Sequence, residues 1–378
     1  MRLFFLTRSY LPTIAGGTLI RKAQEDFLKK NGFEVIVVTP NYNQKRISIQ
    51  ENIIRIPLNY NLRMATWFER IGIYEDYLDK WAKRAFEYLK HKIKKEDILF
   101  ATSGGELGNI RLASLLKDKI GCGFVVNFQD PLDYSLVNGL KIDNAFHISR
   151  EKQEEKYLKN ADLVITSSKT NQKSLQVKYP HLKEKIVNNY FGYIKKVQLK
   201  EKKFSGKLRI AYMGIFSYLQ MPEILAKVAN KIVGLEVYFI GSFKEYKPIT
   251  PFLNNFHFIP FLPHDEFLDF MMENIDVGFV SLISDYLGAC VPSKIYEYIN
   301  LGLPILGALS NGDAAEIINQ QGYGIACKYD DFEYLKEAIE TLKNKEEYQK
   351  FKENILRDRD SWAMEERIKE VILWLRNL

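Results

Sequence analysis

The sequence predicts an α/β protein made of two doubly wound domains that face each other across a cleft. Short apolar runs alternate with amphipathic stretches throughout the 378 residues. The apolar runs are rich in Val and Ile and lack polar alternation, which is typical of parallel strands covered on both faces. A basic, interrupted segment at residues 190–207 breaks this alternation, which then starts again. We therefore predict one domain before this segment and one after it.

The first domain, residues 1–190, shows strand, helix and strand in repeated succession. Its predicted strands are 2–7, 33–39, 97–101, 123–130 and 161–168, and its clearest predicted helices are about 19–30 and 107–117. This succession predicts parallel strands joined by right-handed crossovers.

The second domain, residues 207–355, repeats the same succession. Its predicted strands are 208–214, 235–241, 256–260, 276–282, 304–309 and 324–328, with helices that include 222–232, 265–273, 293–301 and 332–343. A final amphipathic helix is predicted at 361–378. Since ligands bind beyond the carboxyl ends of the strands in open parallel sheets, we expect the site on loops from both domains.

The composition excludes several classes of protein. Lys and Arg number 54 against 47 Asp and Glu, and the formal charge of +7 suits an anionic ligand or membrane face better than nucleic acid. No apolar run approaches the ~20 residues that span a bilayer, and the apolar start is too short for a signal peptide. We expect a cytoplasmic protein. Its three cysteines, Cys122, Cys290 and Cys327, lack metal-ligand spacing, which argues against a disulfide framework and a zinc site.

The stretch VPSKIYEYINLGLP, residues 291–304, carries the most informative candidate site. Pro292, Ser293 and Lys294 are predicted to open a helix, with proline at the first helical position. A lysine in the first turn opposes the helix dipole unless an anion lies between them, and the free N–H groups at this end suit a phosphate. Glu297 lies on the same face, where it could accept hydrogen bonds from a sugar diol. The alternative is a capped surface helix with a Lys294–Glu297 pair.

Two features of the first domain are expected at the same cleft. Gly16 and Gly17, in TIAGGTLIR, follow the first strand, where glycines let the backbone approach a ligand closely. The pattern is not GxGxxG, and no acidic residue ends the second strand, so a nicotinamide cofactor is not expected. Asp130 ends an apolar strand, at a position suited to a base or a sugar-hydroxyl ligand. The alternatives are a flexible turn at the glycines and a turn-forming Asp before proline.

Residues 67–95 interleave aromatic and basic side chains. A helix pair of this composition can lie on an anionic membrane surface, where each cation adds ~1 kcal/mol. The alternative is an ordinary helix pair of the α/β fold with a solvated, charged face.

These motifs together resemble a known family. PSKIYEYINLGLPILGALSNGDAAEII, followed by GYGIACKYDDFEYLKEAI, resembles the C-terminal half of the family 4 glycosyltransferases, and AGG with FLKKNGFEVIVVTP resembles their N-terminal signature. The order of elements agrees along nearly the whole chain, and the helix at 361–378 resembles the one that crosses back onto the first domain. The family consists of retaining, nucleotide-sugar-dependent enzymes with two Rossmann-like domains, the GT-B fold.

The resemblance implies a hexosyltransferase-type enzyme. It would move a sugar from a nucleotide-sugar donor, a UDP-sugar, to a glycan or lipid-linked glycan acceptor during bacterial surface polysaccharide assembly, in capsule or lipopolysaccharide. No cofactor and no metal are implied, and nucleic acid is not an expected partner. An enzyme with a lipid-linked acceptor would be peripheral on the inner face of the membrane.

The family's functional positions carry over to several residues of this chain. The residues matched to donor binding are Gly16, Gly17, Gly214, Phe261, Leu262, Ser293, Lys294 and Glu297, and those matched to catalysis are Asp130, Lys294 and Glu297. Phe261 and Leu262 match the segment that flanks the nucleotide base. Glu297 matches the second glutamate of the E-x7-E motif. Asp130 lies at, or one residue past, a position of many catalytic or acceptor-contacting His or Asp residues, with Gln129 as its neighbour.

The chain departs from the family at two places. Ala289 stands where the first glutamate of E-x7-E falls, and the stretch 214–223 lacks the Arg and Lys that many members carry there. Lys294 is then the expected substitute for those two cations. The departures leave open a catalytically silent sugar-nucleotide-binding scaffold of the same fold. A nucleotide-sugar 2-epimerase is a further alternative, although the carboxylates and histidine that it needs are not evident.

Overall fold

The computed structural model describes residues 1–13, 17–132, 145–200, 202, 207–217, 219–242 and 255–378. The chain divides into two compact units. The first comprises Met1–Phe191 and Arg367–Leu378, and the second comprises Gly192–Glu366. Each unit has its own sheet and its own core.

The first unit is built on an eight-stranded sheet in the order β3-β4-β2-β1-β5-β6-β7-β8. Its strands are β1 (Arg2–Leu6), β2 (Glu34–Asn41), β3 (Ser48–Gln50), β4 (Ile53–Pro57), β5 (Ile98–Gly104), β6 (Gly123–Asp130), β7 (Leu163–Thr166) and β8 (Ile186–Asn188). All neighbours pair in parallel except β3 and β4, which are antiparallel. The six strands from β4 to β7 follow the order 3-2-1-4-5-6 of the Rossmann fold.

Helices cover both faces of this sheet. They are α1 (Thr18–Lys30), α2 (Leu62–Arg70), α3 (Asp79–Leu89), α4 (Gly108–Ile120), α5 (Ala145–Asn160) and α6 (Lys169–Lys178), with a 3-10 helix at Pro180–Lys185. Alternate residues of the central strand β1 enter separate cores, Phe4 and Leu6 on one face and Leu3 and Phe5 on the other. This explains why the strand sequences lack polar alternation.

The second unit is built on a six-stranded parallel sheet in the order β11-β10-β9-β12-β13-β14. Its strands are β9 (Leu208–Ile215), β10 (Leu235–Ser242), β11 (Phe256–Ile259), β12 (Val277–Ser281), β13 (Ile305–Leu309) and β14 (Gly324–Lys328). This is again the order 3-2-1-4-5-6, and the strand order reverses between β9 and β12.

The remaining helices follow in chain order. They are α7 (Ala226–Ala229), α8 (His264–Asn274), α9 (Ser293–Asn300), α10 (Asp313–Gln320), α11 (Phe332–Lys343), α12 (Lys345–Asp358) and α13 (Met364–Arg376), with 3-10 helices at Pro222–Leu225, Asp285–Ala289 and Arg359–Trp362. Helix α13 places Ile368, Val371, Ile372 and Leu375 in the core of the first unit beside Leu3 and Phe5.

Two predicted elements differ in the structure. The helix predicted at 222–232 is a 3-10 turn followed by the four-residue α7. Met221, the residue before Pro222, has a left-handed φ of 32°. The helical segment therefore cannot extend to residues before Pro222. The strand predicted at 161–168 is shorter in the structure, where β7 spans Leu163–Thr166. It ends before Ser168, because the Ser168 side chain accepts a hydrogen bond from Asn171 N at 3.1 Å and caps α6.

Candidate functional site

The crevice of the second sheet lies where the strand order reverses, beyond the carboxyl end of β9. Gly214, near that end, has φ +113°, and a Cβ built on it would lie 3.2 Å from Lys294 Cε and 3.4 Å from its Nζ. The structure therefore brings Gly214 and Lys294 together, although 80 residues separate them in sequence. It places the Lys294 side chain over the end of β9.

Lys294 is a half-buried cation with no carboxylate partner among the described residues. Its Nζ donates to Gln220 Oε1 at 3.2 Å and lies 4.9 Å from the centre of the Tyr212 ring. In the described part of the chain, no carboxylate oxygen lies within 4.0 Å of this ammonium. Burial lowers the pKa of Lys294 to about 8. A positive charge held out of water without a counter-ion suits an anionic ligand.

The first turn of α9 presents further donors beside this lysine. Pro292 is the N-cap, with φ −59° and ψ 133°, so the expectation that it occupies the first helical position is wrong by one residue. Ser293 holds that position, is exposed, and makes no hydrogen bond to a described residue. The backbone N–H groups of Ser293 and Lys294 likewise donate to no described residue. A phosphate fits such a helix start.

Glu297 is half-buried on α9, one turn beyond these residues. Asn300 Nδ2 lies 3.5 Å from its Oε2, and the same amide donates to Lys195 O at 2.9 Å. The Lys294 ammonium is instead turned toward Gln220, so the Lys294–Glu297 pair of the surface-helix alternative is not formed.

Gln220 is a site residue that sequence reasoning missed. Its Oε1 accepts from both the Lys294 ammonium and the Tyr212 hydroxyl, and its backbone carbonyl accepts from Ser281 Oγ. Gln220 thus joins α9 to the ends of β9 and β12. It falls in the stretch 214–223 that lacks the expected Arg and Lys, and nothing in the local sequence marks it.

The other predicted donor positions lie elsewhere in this unit. Ala289 is only 1% exposed and ends a 3-10 helix whose Gly288 carbonyl packs against Gly312. A glutamate at 289 would place a larger, charged side chain at this buried position, where the neighbouring side chains would have to move. Phe261 and Leu262 follow β11, and Phe261 is 79% exposed, which leaves its ring available to stack on a planar ligand.

The first sheet has its own order reversal, between β1 and β5. Arg8, just after β1, pairs with Glu106, just after β5, with 3.4 Å between Arg8 Nη1 and Glu106 Oε2. Glu106 is fully buried and also accepts from Gly104 N at 2.8 Å. Burial raises the pKa of the Glu106 carboxyl, while the guanidinium groups of Arg8 and Arg21 oppose that rise.

Arg21 was not predicted as a site residue. It is fully buried in α1, donating from Nη1 to Ser9 Oγ at 2.8 Å and from Nη2 to Gln129 Oε1 at 2.5 Å. Burial lowers the pKa of Arg21. A signal was present in the sequence: Arg21 and Glu25 interrupt the buried stripe of α1 between Thr18 and Leu28, and charged residues on a buried stripe need partners.

The glycine turn and the end of β6 meet through Gln129. Gly17 has φ +76°, and a Cβ there would lie 2.7 Å from Gln129 Oε1. Asp130 is half-buried at the end of β6. The Glu106 carboxylate is the main cause that raises the pKa of Arg8, and Asp130 adds a small contribution. Gly16 lies outside the described residues, so the structure places only the second glycine of the pair.

The basic aromatic region divides into two parts. On α3, Trp81 is fully buried and donates from Nε1 to Ile56 O at 3.1 Å, while Phe86 and Tyr88 pack against the core. These aromatic side chains agree with the alternative of an ordinary helix pair of the α/β fold. On α2, Met64 and Trp67 are each 56% exposed, and Ile71 at the C-cap is 49% exposed. The spacing of these three puts them on one face, the α2 apolar face.

The described residues contain neither a metal-ligand cluster nor a membrane-spanning helix. Within the described ranges, no group of three or more His, Cys, Asp and Glu side chains is arranged to hold a metal ion. No helix in the same ranges is both long and apolar enough to cross a membrane. The expectations of metal independence and of membrane association therefore stay predictions.

Comparison with known proteins gives a likeness in structure but not in sequence. No protein-family model matches the sequence, and no curated protein matches it. HepE of Anabaena, solved with UDP-glucose, superposes with a TM-score of 0.69 at 12% identity and covers 100% of both chains. Sucrose-phosphate synthase of Thermosynechococcus elongatus gives 0.67 at 13%, covering 100% of this chain and 99% of its own. The lipopolysaccharide outer core galactosyltransferase WaaB gives 0.67 at 11%, covering 99% of each chain.

At such low identity these likenesses show the fold alone. Together with the two sheets of order 3-2-1-4-5-6, they confirm the prediction of an α/β chain with two Rossmann-like domains.

Proposed function

We propose that the chain is a glycosyltransferase of the GT-B fold that takes its sugar from a UDP-sugar. The observation that carries the proposal is the Lys294 ammonium, which has no carboxylate partner among the described residues, beside N–H groups at the start of α9 that donate to none of those residues. These groups lie at the order reversal of a Rossmann-like sheet, where nucleotides bind. The solved structures of this fold include one with UDP-glucose and one of a galactosyltransferase, which supports the same class of donor.

The proposed mechanism depends on stabilising the leaving diphosphate. Lys294 would hold one phosphate, and the N–H groups of Ser293 and Lys294 would hold the other, as preorganised donors for the charge that develops in the transition state. Glu297 would accept hydrogen bonds from the ribose or the donor sugar. Phe261 and Leu262 would flank the base. No metal or cofactor is part of this proposal.

We further propose that transfer proceeds with retention of configuration. In a retaining transfer the acceptor approaches on the face that the diphosphate leaves, and the leaving phosphate oxygen can take the acceptor proton. A strong protein base is then unnecessary, and Asp130 would position the acceptor. The residue resemblance to family 4 supports a glycan acceptor in bacterial surface polysaccharide assembly. The protein itself would be cytoplasmic.

The acceptor is proposed to be lipid-linked, which would bring the protein to an anionic membrane face. The α2 apolar face supports this, because Met64, Trp67 and Ile71 expose large side chains to solvent and are flanked by the exposed Arg63 and Arg70. A helix with exposed apolar and basic side chains of this kind binds membrane interfaces.

A thermal-shift screen of nucleotides and nucleotide sugars tests the donor class. A ligand at 100 times its dissociation constant should stabilise the protein by ~2.7 kcal/mol. We expect UDP and at least one UDP-sugar to raise the melting temperature, with uridine much weaker. If no nucleotide or nucleotide sugar stabilises the protein, the proposed function is wrong.

A catalytically silent scaffold is the second candidate, and Ala289 favours it because one sugar-binding carboxylate is missing. Release of UDP from the stabilising donor separates the two. A transferase with a productive site should release UDP slowly by hydrolysis and faster with an acceptor. Binding without any UDP release, across a panel of acceptors, would favour the scaffold.

A further inference from the structure

A cavity of about 410 Å³ lies at the opposite edge of the second sheet from Lys294. Asp276 and Leu303 in its wall come just before β12 and β13, so the cavity is at the edge where the strands begin. Lys294 and Gly214 lie at the edge where the strands end. The cavity is therefore separate from the candidate donor site, although its volume is in the range of small-molecule sites.

The floor of this cavity is apolar. The side chains that form it are Leu199, Met272, Ile275, Leu301, Leu303 and Leu342. Ile275 and Leu342 are fully buried, and Leu301 and Leu303 are at most 5% exposed. An apolar group placed here would lose its contact with water on most of its surface.

The walls carry five lysines, Lys200, Lys202, Lys343, Lys345 and Lys352, against one lining carboxylate, Asp276. That carboxylate is shared, since Lys202 Nζ lies 2.7 Å from its Oδ1 and Arg209 Nε lies 3.0 Å from its Oδ2. Lys200 pairs with Asp269 and Glu273, and Lys343 pairs with Glu340.

Two of the lysines remain without an acidic partner. Among the described residues, no carboxylate oxygen lies within 4.0 Å of Lys345 or Lys352. Counting the described residues that line the cavity or pair with its lysines, six cations face four carboxylates. Within this described set, the cavity combines an apolar floor with an excess of positive charge on its wall.

We propose that this cavity binds an organic phosphate, with the phosphate between Lys345, Lys352 and Lys202 and the apolar substituent on the floor. A lipid phosphate and a soluble phosphate ester share this chemistry. The inference is independent of the proposed transferase activity, because no residue of the cavity belongs to the donor site.

Lys202 gives the site a second, measurable property. Burial, reinforced by Arg209 and Lys352, lowers the pKa of Lys202 to about 8, although Asp276 opposes this. At pH 8 the lysine is therefore about half protonated, and a bound phosphate dianion favours the charged form. Binding should take up about half a proton at pH 8, where a phosphate monoester is already a dianion.

Isothermal titration calorimetry with hexyl phosphate tests the proposal. We expect the Lys345→Gln/Lys352→Gln variant to bind hexyl phosphate at least ~10-fold more weakly than the unmodified protein. The control is Lys336→Gln/Lys350→Gln, which removes one exposed charge from α11 and one from α12, both outside the cavity. Both variants should keep the melting temperature, which is measured alongside. Equal affinity in the two variants, or no heat with hexyl phosphate, would overturn the proposal.

Two further experiments identify the chemical class of the ligand. Hexyl phosphate should bind at least ~10-fold more tightly than inorganic phosphate, since only the ester reaches the apolar floor, and equal affinities would overturn that part of the site. Phosphatidic acid vesicles distinguish the two sources. Loss of vesicle binding in Lys345→Gln/Lys352→Gln but not in the control supports a lipid phosphate. Vesicle binding that is the same in both variants, together with the expected loss of hexyl phosphate binding in Lys345→Gln/Lys352→Gln, supports a soluble ester.

Discussion

Lys294 Nζ donates to Gln220 Oε1 at 3.2 Å, and this amide oxygen takes the place that a carboxylate would hold beside a buried ammonium. A carboxylate would neutralise the lysine and repel a phosphate. The amide holds the side chain in position and leaves its charge uncompensated. This relationship is the strongest structural reason to assign Lys294 to an anionic ligand.

Lys294→Ala should weaken UDP binding by about 10- to 100-fold and change uridine binding little, because a charge-assisted contact to phosphate is worth ~1.5–3 kcal/mol. Calorimetric affinities for UDP and uridine check this. Lys336→Ala, an exposed lysine on α11, is the control and should bind both as the unmodified protein does. Equal losses for UDP and uridine would remove the diphosphate assignment.

The pH dependence of stability should identify Lys294 as a buried cation. Its pKa of about 8 lies below the unfolded value of 10.5, so the unfolded state binds more protons between these two pH values. The cost of burying the charge is therefore full below pH 8 and is relieved as the pH rises toward 10.5. Lys294→Met should melt higher than the unmodified protein at pH 7, and the difference should shrink between pH 8 and 10.5. A difference that is constant with pH would mean that folding does not lower the pKa of Lys294, and that its charge is not held out of water.

Glu297→Gln should lower transfer by at least ~10-fold, a loss of ~1.4 kcal/mol in transition-state binding, while the melting temperature barely moves. The substitution keeps the size of the side chain and its contact with Asn300 but removes the charge that a sugar diol would bind. Glu337→Gln on the exposed side of α11 is the control. A variant that unfolds would indicate that Glu297 has a structural role. A variant with full activity would show that Glu297 does not contribute to transfer.

Asp130→Asn should slow transfer by about 10-fold without abolishing it, since the proposed role is to position the acceptor. The Michaelis constant for the acceptor should rise, and the dissociation constant for UDP should not change. Asp130 also acts on Arg8, so the melting temperature is measured as a check on the fold. Complete loss of transfer with a normal melting temperature would make Asp130 a catalytic base and contradict the positioning role.

An α-linked UDP-sugar should yield an α-linked product, and EDTA should leave the rate unchanged. Retention follows from attack on the face that the diphosphate leaves, and metal independence follows from charge stabilisation by Lys294 and the α9 amides. Proton NMR of the anomeric signal in the first product decides the stereochemistry. A β-linkage would mean inversion, and the family 4 interpretation would then fail.

The protein should sediment with anionic vesicles at low salt and leave them as salt rises, because the Debye length falls from ~30 Å at 0.01 M to ~8 Å at 0.15 M. Trp67→Ser should weaken this binding, since Trp67 is 56% exposed on the α2 apolar face. Val177→Ser is the control, removing an apolar side chain that is 80% exposed elsewhere in the same unit. Equal sedimentation of all three proteins would leave the α2 apolar face without a membrane role.

The fold class and most of the helices and strands could be predicted from apolar periodicity and composition. Long Val- and Ile-rich runs predict strands that are covered on both faces, and the structure confirms this at β6, where Phe124 and Val126 enter one core and Val125 enters the other. Short edge strands such as β3 and β8, three residues each, were missed because they are too short to show a period. The α9 start was predicted within one residue, because Pro, Ser and Lys at a helix opening leave a local signal.

Only the tertiary structure decided which polar residues meet. Gln220 and Lys294 are 74 residues apart in the chain, and Arg21 and Gln129 are 108 apart, so no local pattern relates either pair. The parallel crossovers bring the ends of distant strands to one sheet edge. Because a buried charge without a hydrogen-bond partner costs free energy, the polar residues that meet there pair with one another. The same packing hides Trp81 and exposes Trp67, a difference that composition alone does not show. Periodicity therefore predicts the elements, while the partners of the buried charges depend on the register and order of the assembled sheets.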